Sequence, residues 1–342
     1  MYIDHFGLKD YPFSITPDTD YLYMSPAHAR AKAYMEYAIF NREGFVVITG
    51  EIGSGKTTLI KKLLTEISDD VTVAKIFQTQ LNEVELLQAI LVEFGLNPFS
   101  AKKVELLNML NQYLVDSYLS GKQVLLLIDD AQNLSKRVLE EICMLSGVET
   151  QKEKILHVIL VGQPELNKKL ESDDMEQLLQ RVSLRYHVRA LSEDETTEYI
   201  QHRLKVAGIN EHLFADEIYP KIYEYTGGIP RLINTLCDTS LTCAFADNKL
   251  IVDEEEFMSS INELQWKKYT EKHKDDNIHY EHEDVLYSDE NQQQNLNLYD
   301  IKDFIHGAYS PIASRALVEI SRQLKRIADH LDSDNPNKGN NN

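Results

Sequence analysis

Cysteine is scarce in this chain. The 342 residues include three, Cys143, Cys237 and Cys243, and no two of them have the short spacing that a zinc site or a redox pair requires. Zinc-binding modules and disulfide-stabilised secreted folds are therefore not expected. The three thiols instead fit small buried side chains in a reducing compartment.

Long hydrophobic runs are also missing. A membrane-spanning helix needs about 18 or more consecutive apolar residues, and no stretch of this sequence reaches that length. Near the start, Asp4, His5, Lys9 and Asp10 interrupt any apolar segment of the kind that a signal peptide needs. We therefore expect a cytoplasmic protein, which would reach the inner membrane only as a peripheral partner of another component.

Positive charge is the third shortage. Lys and Arg number 35 against 55 Asp and Glu, which gives a formal net charge of −20. Bulk attraction to DNA or to anionic lipid is not expected from such a chain, although a local basic patch would still permit contact with DNA. A hydrophobic content of 43% nevertheless predicts an ordinary globular core.

One complete motif is present, G-x-x-x-x-G-K-[ST]. It follows the β-branched run at residues 45–49 and precedes a helix-like stretch, which is the strand–loop–helix order of a phosphate loop. In such a loop the backbone N–H groups face phosphate oxygens, Lys56 can reach the β- and γ-phosphates, and Thr57 can bind Mg²⁺. A glycine-rich turn without a ligand is the alternative. The predicted nucleotide-binding residues are Gly50, Glu51, Ile52, Gly53, Ser54, Gly55, Lys56, Thr57 and Thr58.

Five apolar stretches alternate with helical patterns. The stretch at residues 124–128 is apolar throughout, as a buried central strand of a parallel sheet should be. The predicted strands are residues 45–49, 71–77, 124–128, 155–161 and 186–190. The predicted helices are residues 25–42, 58–67, 83–94, 103–119, 136–145 and 164–181. This alternation predicts an α/β fold with a five-stranded parallel sheet.

Composition divides the chain into five predicted parts. They are a nucleotide-binding α/β domain at 1–190, a small helical lid domain at 191–265, a polar flexible linker at 266–311, an amphipathic helix at 312–331 and a disordered tail at 332–342. The aromatic-rich start, residues 1–23, is predicted to pack over a neighbouring surface. The a/d spacing of the leucines and isoleucines in the helix at 312–331 favours docking to a partner, with packing on its own nucleotide-binding domain as the alternative.

Two acidic residues follow the fully apolar strand. Asp129 stands where a Walker B carboxylate holds Mg²⁺ opposite Thr57. Asp130 stands where many ATPases place a glutamate that polarises the attacking water, so it is the candidate catalytic base. The alternatives are an acid that merely ends a strand, for Asp129, and an acid stabilised by a helix dipole, for Asp130.

Four further polar side chains are candidates for the reaction. Gln163 follows the strand at 155–161 and could reach the γ-phosphate or the attacking water. Arg181 and Arg185 stand where ATPase assemblies direct an arginine to the neighbouring subunit's nucleotide, because charge develops on the transferred phosphoryl oxygens. Arg231 begins a helix after a Gly-Gly-Ile-Pro turn that can aim it at the nucleotide. The alternatives are a loop amide bonded to its own backbone, for Gln163, and surface ion pairs, for the arginines.

Together these features resemble an AAA+ ATPase, and more narrowly the ExeA family, the general secretion pathway protein A-like ATPases. The resemblance covers about residues 1–265. The matching segments are Phe6-Gly-Leu8, Pro12-Phe13, Pro17-Asp18, Gly50-Glu-Ile-Gly-Ser-Gly-Lys-Thr-Thr58, Leu127-Ile-Asp-Asp-Ala-Gln-Asn-Leu134, Val161-Gly-Gln-Pro-Glu-Leu166 and Gly227-Gly-Ile-Pro-Arg-Leu-Ile-Asn-Thr-Leu-Cys237. It implies ATP and Mg²⁺ as cofactors and a homo-oligomer that assembles with ATP, a hexamer being the candidate size.

One branch of that family, the ATPases linked to exosortase and exopolysaccharide systems, shares the lead-in at residues 43–50. Two positions depart from the family pattern. Asp130 replaces the usual glutamate, which predicts slow hydrolysis, and Gly147 replaces the usual asparagine, for which the sequence offers no physical reason.

Three functions are compatible with the sequence. The resemblance favours an ATPase that drives or regulates assembly of an envelope secretion or exopolysaccharide export system, through a partner that the sequence does not identify. The first alternative is an ATPase of DNA transposition similar to the TniB type, which the charge of −20 disfavours. The second is a regulatory switch that binds ATP and hydrolyses it slowly.

Overall fold

A five-stranded parallel sheet organises the chain up to residue 188. The computed structural model describes residues 2–40, 44–99, 102–148, 154–209 and 212–272. The strands are β1 Phe45–Gly50, β2 Val71–Ile76, β3 Gln123–Ile128, β4 Leu156–Gly162 and β5 Leu184–Val188. They lie in the order β2-β3-β4-β1-β5, and every neighbouring pair is parallel. The predicted α/β fold with a five-stranded parallel sheet is confirmed.

Helices connect these strands and continue beyond them. In chain order they are α1 Tyr2–Phe6, α2 Pro26–Phe40, α3 Lys56–Glu66, α4 Glu83–Glu93, α5 Lys103–Leu119, α6 Lys136–Leu145, α7 Glu165–Leu170, α8 Glu176–Leu179, α9 Glu193–Val206, α10 Ile218–Thr226, α11 Pro230–Ala246, α12 Glu254–Leu264 and α13 Tyr269–Lys272. Helices α9 to α12 form the helical region that the sequence predicts after the sheet.

The sheet is buried on both faces, which explains why β3 is apolar throughout. Val124, Leu126 and Ile128 pack into one hydrophobic core together with α4, α5 and α6. Leu125 and Leu127 point to the opposite face and pack with α2 and α3. Because successive side chains of a strand alternate between the two faces, a strand covered on both sides needs apolar residues at every position.

The N-terminal segment packs against the helical region. Its buried apolar side chains are Tyr2, Phe6, Leu8, Phe13 and Tyr21. They share one hydrophobic core with residues of α9, α10, α11 and α12. The neighbouring surface expected for residues 1–23 is therefore the helical region, although the sequence assigns this segment to the domain at 1–190. The predicted domain boundaries themselves stay a prediction.

Two elements before the helical region differ from expectation. The helix predicted at 164–181 is divided into α7 and α8 by a 3-10 turn at Asp173–Met175. The hydroxyl of Ser172 donates to the carbonyl of Lys169, and such short polar side chains compete with helical backbone bonds. Strand β5 begins two residues earlier than the predicted 186–190, because its pairing partner β1 sets its register.

The predicted linker also begins differently. Residues 266–272 include α13, and Trp266 packs partly buried against the core of the helical region. The rest of the linker, the amphipathic helix at 312–331 and the tail at 332–342 lie outside the described residues. In the described ranges, no helix has the length and apolar character needed to cross a bilayer.

Candidate nucleotide-binding site

The loop between β1 and α3 has the geometry of a phosphate loop. Gly53 and Gly55 have φ angles of 81° and 93°, which other residues rarely adopt. A Cβ atom added to Gly53 would lie 2.4 Å from the Cβ of Arg231. Glycine is thus required here both by the backbone conformation and by the close approach of α11.

Lys56, the first residue of α3, is buried beneath this loop. Its Nζ donates to the carbonyl oxygens of Gly50 and Glu51, each at 2.8 Å. Burial lowers the pKa of the lysine, and the nearby carboxylates of Asp129 and Asp130 partly oppose that shift. The cation is therefore held at the centre of the loop by the loop's own carbonyls.

Thr57 and Asp129 meet beside the lysine. The Thr57 hydroxyl donates to Oδ2 of Asp129 at 2.8 Å, and the backbone N–H of Asp130 donates to Oδ1 at 2.9 Å. Asp129 is 4% exposed, and burial raises its pKa although both hydrogen bonds favour the ionised form. A hydroxyl and a carboxylate side by side are oxygen donors of the kind that Mg²⁺ prefers. These residues therefore fit the predicted metal.

Asp130 and Gln163 are connected by a residue that the sequence did not single out. Asp130 is exposed and has a φ of 53°, a left-handed conformation that Asp tolerates better than most residues. The side chain of Gln132 donates to Oδ1 of Asp130 at 3.1 Å and accepts the backbone N–H of Gln163 at 3.0 Å. Gln132 lies in the predicted Walker B segment, but its bridging role depends on β4 lying next to β3.

A cavity of about 530 Å³ opens beside these groups. The phosphate loop, the strand ends with Asp129, Asp130 and Gln163, and the N-terminal segment line it. Its size lies in the range of about 300–1,000 Å³ typical of small-molecule sites. The N-terminal segment contributes residues 14–18 and 21–23, which the sequence did not connect with the nucleotide.

The helical region forms the remaining wall. Arg231 lines the cavity, and its backbone N–H donates to the carbonyl of Gly53 at 3.1 Å. Gly228, with a φ of 73°, lets the turn before α11 pass so close to the carbonyl of Leu191 that a Cβ atom would clash. The Gly-Gly-Ile-Pro turn therefore places Arg231 at the loop.

Arg203, on α9, fixes the N-terminal wall. It is buried, and its guanidinium donates to the carbonyls of Pro12 and Ser14 and to the Tyr199 hydroxyl. The group also lies 5.0 Å from the ring centroid of Tyr21. Sequence reasoning missed this residue. The available signal was an arginine one helical turn after Tyr199 within an otherwise apolar stripe.

His28, on α2, is a second residue that the sequence did not indicate. Its ring is buried, and Nε2 donates to the carbonyl of Ser54 at 2.8 Å. Burial lowers the pKa of this histidine. No pattern in the sequence connects α2 with the phosphate loop.

Arg181 and Arg185 do not line this cavity. Arg181 donates to the carbonyl of Cys143 at 2.7 Å, and Arg185 pairs with Glu171 at 2.9 Å. A Cβ atom on Gly147 would lie 2.4 Å from the guanidinium of Arg181. A side chain at position 147 would therefore require the guanidinium of Arg181, the flexible end of that side chain, to shift.

Comparison with known proteins agrees with this geometry. Residues 40–170 match the family model of an AAA domain. The fold and the loop together define a P-loop ATPase of the AAA class. The chain is similar to General secretion pathway protein A of Aeromonas hydrophila, with 40% identity over 247 residues. That match covers 72% of this chain and 45% of the relative, so the chain spans less than half of that protein. The predicted resemblance to this family is confirmed.

Solved structures share the fold. Cdc6p of Pyrobaculum aerophilum superimposes with a TM-score of 0.58 at 18% identity, over 74% of this chain and 70% of that one. The ORC2 protein of Aeropyrum pernix gives 0.52 at 17% identity, over 72% of each chain. Identities this low show a common architecture alone.

Proposed function

We propose that the chain binds ATP with Mg²⁺ in the cavity between the phosphate loop, the N-terminal segment and the helical region, and that it hydrolyses the nucleotide. The observation that carries this proposal is the hydrogen bond of 2.8 Å from the Thr57 hydroxyl to Oδ2 of Asp129. It lies beside the phosphate loop, whose carbonyl oxygens at Gly50 and Glu51 accept from Nζ of Lys56. A bound Mg²⁺ would neutralise charge on the phosphate oxygens.

The described residues divide the work between them. Lys56 and the loop N–H groups would hold the phosphates, and Thr57 and Asp129 would hold the metal ion. Gln163 is proposed to orient the attacking water, and Arg231 to bind the nucleotide from the helical region. The remaining predicted loop residues, Glu51, Ile52, Ser54 and Thr58, contribute through their backbone or their position at the start of α3.

Asp130 is proposed as the base that accepts the proton of the attacking water. Its side chain is exposed at the cavity and already accepts a hydrogen bond from Gln132. An aspartate reaches less far than the family's usual glutamate, which favours slow turnover. Slow turnover is also what the alternative function, a regulatory switch that keeps ATP bound for long periods, requires.

The similarity to General secretion pathway protein A supports a role in assembling or energising an envelope secretion or exopolysaccharide export system. We propose that the chain acts there as an ATP-dependent homo-oligomer in the cytoplasm, in contact with a component at the inner membrane. Arg181 or Arg185 would then complete the site of a neighbouring subunit. Both lie outside the cavity of their own chain, as such a role requires.

The decisive experiment compares Lys56→Ala with Lys62→Ala. Both lysines are on α3, but Lys62 pairs with Glu66 and does not line the cavity. Titration calorimetry should show ATP affinity reduced by about 100-fold or more for Lys56→Ala, since a desolvated charge–phosphate contact is worth about 3 kcal/mol. Lys62→Ala should bind as the parent does. Equal ATP affinity in the parent and Lys56→Ala would refute the proposed site.

A further inference from the structure

His28, on α2, contacts the phosphate loop but belongs to none of the sequence motifs described above. Its side chain is 3% exposed, and its Nε2 lies 2.8 Å from the carbonyl oxygen of Ser54. Ser54 is the residue before Gly55, whose N–H group is the last of the loop before α3 begins. The imidazole therefore touches the peptide unit that joins the loop to the helix.

The geometry of that peptide unit gives the contact its consequence. A trans peptide is planar, and its carbonyl and N–H groups point in opposite directions. A hydrogen bond that fixes the carbonyl of Ser54 toward His28 also fixes the N–H of Gly55 in the direction away from the ring. In a phosphate loop this N–H is one of the donors that receive phosphate oxygens.

The orientation of the ring is itself fixed. Because Nε2 faces a carbonyl it carries the proton, and Nδ1 must then accept a hydrogen bond. The hydroxyl of Ser25 lies 2.7 Å from Nδ1 and is fully buried, so it is the donor. The backbone N–H of His28 in turn donates to that hydroxyl at 3.3 Å. The ring is thus held at both nitrogens.

The ring also lies beside Gly55. A Cβ atom added to Gly55 would lie 3.0 Å from Nε2 of His28, so the ring leaves little room for a side chain there. Gly55 has a φ of 93°, which residues with a side chain rarely adopt. The hydrogen bond and this close packing both concern residues 54–55.

We propose that His28 is a positioning residue of the nucleotide site, which holds the Ser54–Gly55 peptide so that the Gly55 N–H is ready to bind phosphate before the nucleotide arrives. This inference rests on the proposed function, since it needs the cavity to bind a nucleoside triphosphate. Ser25 contributes indirectly, because its hydroxyl holds the ring of His28 in place through Nδ1.

The test uses two amides that differ only in reach. In His28→Gln the side-chain N–H can occupy the place of Nε2, whereas in His28→Asn the shorter amide cannot reach Ser54. Calorimetry with Mg-ATP should give about tenfold weaker binding for His28→Asn, as loss of one buried hydrogen bond implies, and near-parental binding for His28→Gln. A purely structural histidine would not separate the two variants in this way.

Steady-state hydrolysis gives a second readout. A donor that binds phosphate equally in the ground state and the transition state changes KM and leaves kcat alone. We therefore expect His28→Asn to raise KM about tenfold with kcat within about twofold of the parent. A fall in kcat at constant KM would overturn the positioning role.

Folding and the proposed function are controlled separately. If His28→Asn lowers the nucleotide-free melting temperature by more than about 5 °C, Ser25→Ala becomes the deciding variant, and a twofold to threefold loss of ATP affinity is expected from it. Parental binding by Ser25→Ala in that case, or equal binding by the Asn and Gln variants, overturns the inference. Lys56→Ala distinguishes failure of the proposed function from failure of this inference. If Lys56→Ala loses ATP binding while His28→Asn binds as the parent does, only the role of His28 is refuted.

Discussion

The phosphate loop and the pair Arg181 and Arg185 differ in whether a single chain brings them to the nucleotide cavity. At the loop end, Lys56 and Asp129 are buried and each has hydrogen-bond partners within the chain. Arg181 and Arg185 instead lie outside the cavity, where they bind the carbonyl of Cys143 and the carboxylate of Glu171.

The difference separates binding from hydrolysis. Polar groups that are already oriented lose little further freedom when a ligand arrives, so we expect one chain to bind nucleotide on its own. An arginine that reaches the transferred phosphoryl stabilises the charge that develops there, and neither Arg181 nor Arg185 lines the cavity of its own chain. If the proposed assembly supplies one of these arginines, hydrolysis should depend on association, whereas binding should not.

The largest expected effect concerns the arginines. If Arg181 acts on a neighbouring subunit, Arg181→Ala should bind ATP normally but hydrolyse it about 10³-fold more slowly, the lower end of what such an arginine contributes. Arg185→Ala provides the parallel measurement. Glu171→Gln is the control, since it removes the ion pair with Arg185 but keeps the arginine, and it should leave the rate unchanged.

Mixing subunits decides where Arg181 acts. An Arg181→Ala subunit keeps its own Asp129, and an Asp129→Asn subunit can supply it with an arginine. The mixture should therefore regain part of the activity that both variants lack alone. Absence of rescue at every mixing ratio would assign Arg181 to the packing of Gly147 and Cys143 within its own chain.

A smaller effect is expected at Asp130. Aspartate is one methylene shorter than glutamate, about 1.5 Å of reach, and a misplacement of about 1 Å can cost on the order of 10²-fold in rate. Asp130→Glu should therefore raise the turnover number by roughly tenfold.

Asp130→Asn is the matched control for that change. Asparagine tolerates the left-handed backbone and can still accept from Gln132, but it cannot take up a proton. It should hydrolyse ATP more slowly than the parent. A glutamate variant no faster than the parent, together with an asparagine variant no slower, would remove Asp130 from the mechanism.

The smallest expected effect concerns the N-terminal wall. Arg203→Lys keeps the charge but cannot reproduce the three donors that hold Pro12, Ser14 and Tyr199. Loss of about one net hydrogen bond, ~1 kcal/mol, should weaken ATP binding about fivefold. Lys205→Ala, an exposed change on the same helix, should leave affinity as it is. Unchanged affinity in Arg203→Lys would exclude this wall from binding.

The sequence predicted what depends on near neighbours. The phosphate loop is contiguous, and the burial of β3 on both faces follows from its unbroken apolar run. His28, Gln132 and Arg203 were missed because their contacts join residues 26, 31 and 191 positions apart. Such contacts exist only after the strands have been ordered and the N-terminal segment placed.

The elements that the sequence predicted inaccurately follow the same rule. Strand β5 takes its register from β1, a partner more than 130 residues away in the chain. The break between α7 and α8 depends on nearby residues, the polar residues at 172–174. It was missed because the apolar residues on either side have the spacing of one continuous helix.

The packing of the N-terminal segment has a consequence for the order of folding. Tyr2 bonds to Asp238, 236 positions later, and Arg203 bonds to Pro12 across 191 positions. During synthesis, at about 5–20 residues per second, the aromatic side chains of this segment must wait about ten seconds or longer for the helices that cover them. Contacts between residues so far apart in the sequence form late, and apolar surface stays exposed until they form. This wall of the nucleotide cavity should thus form only after the helical region has been synthesised.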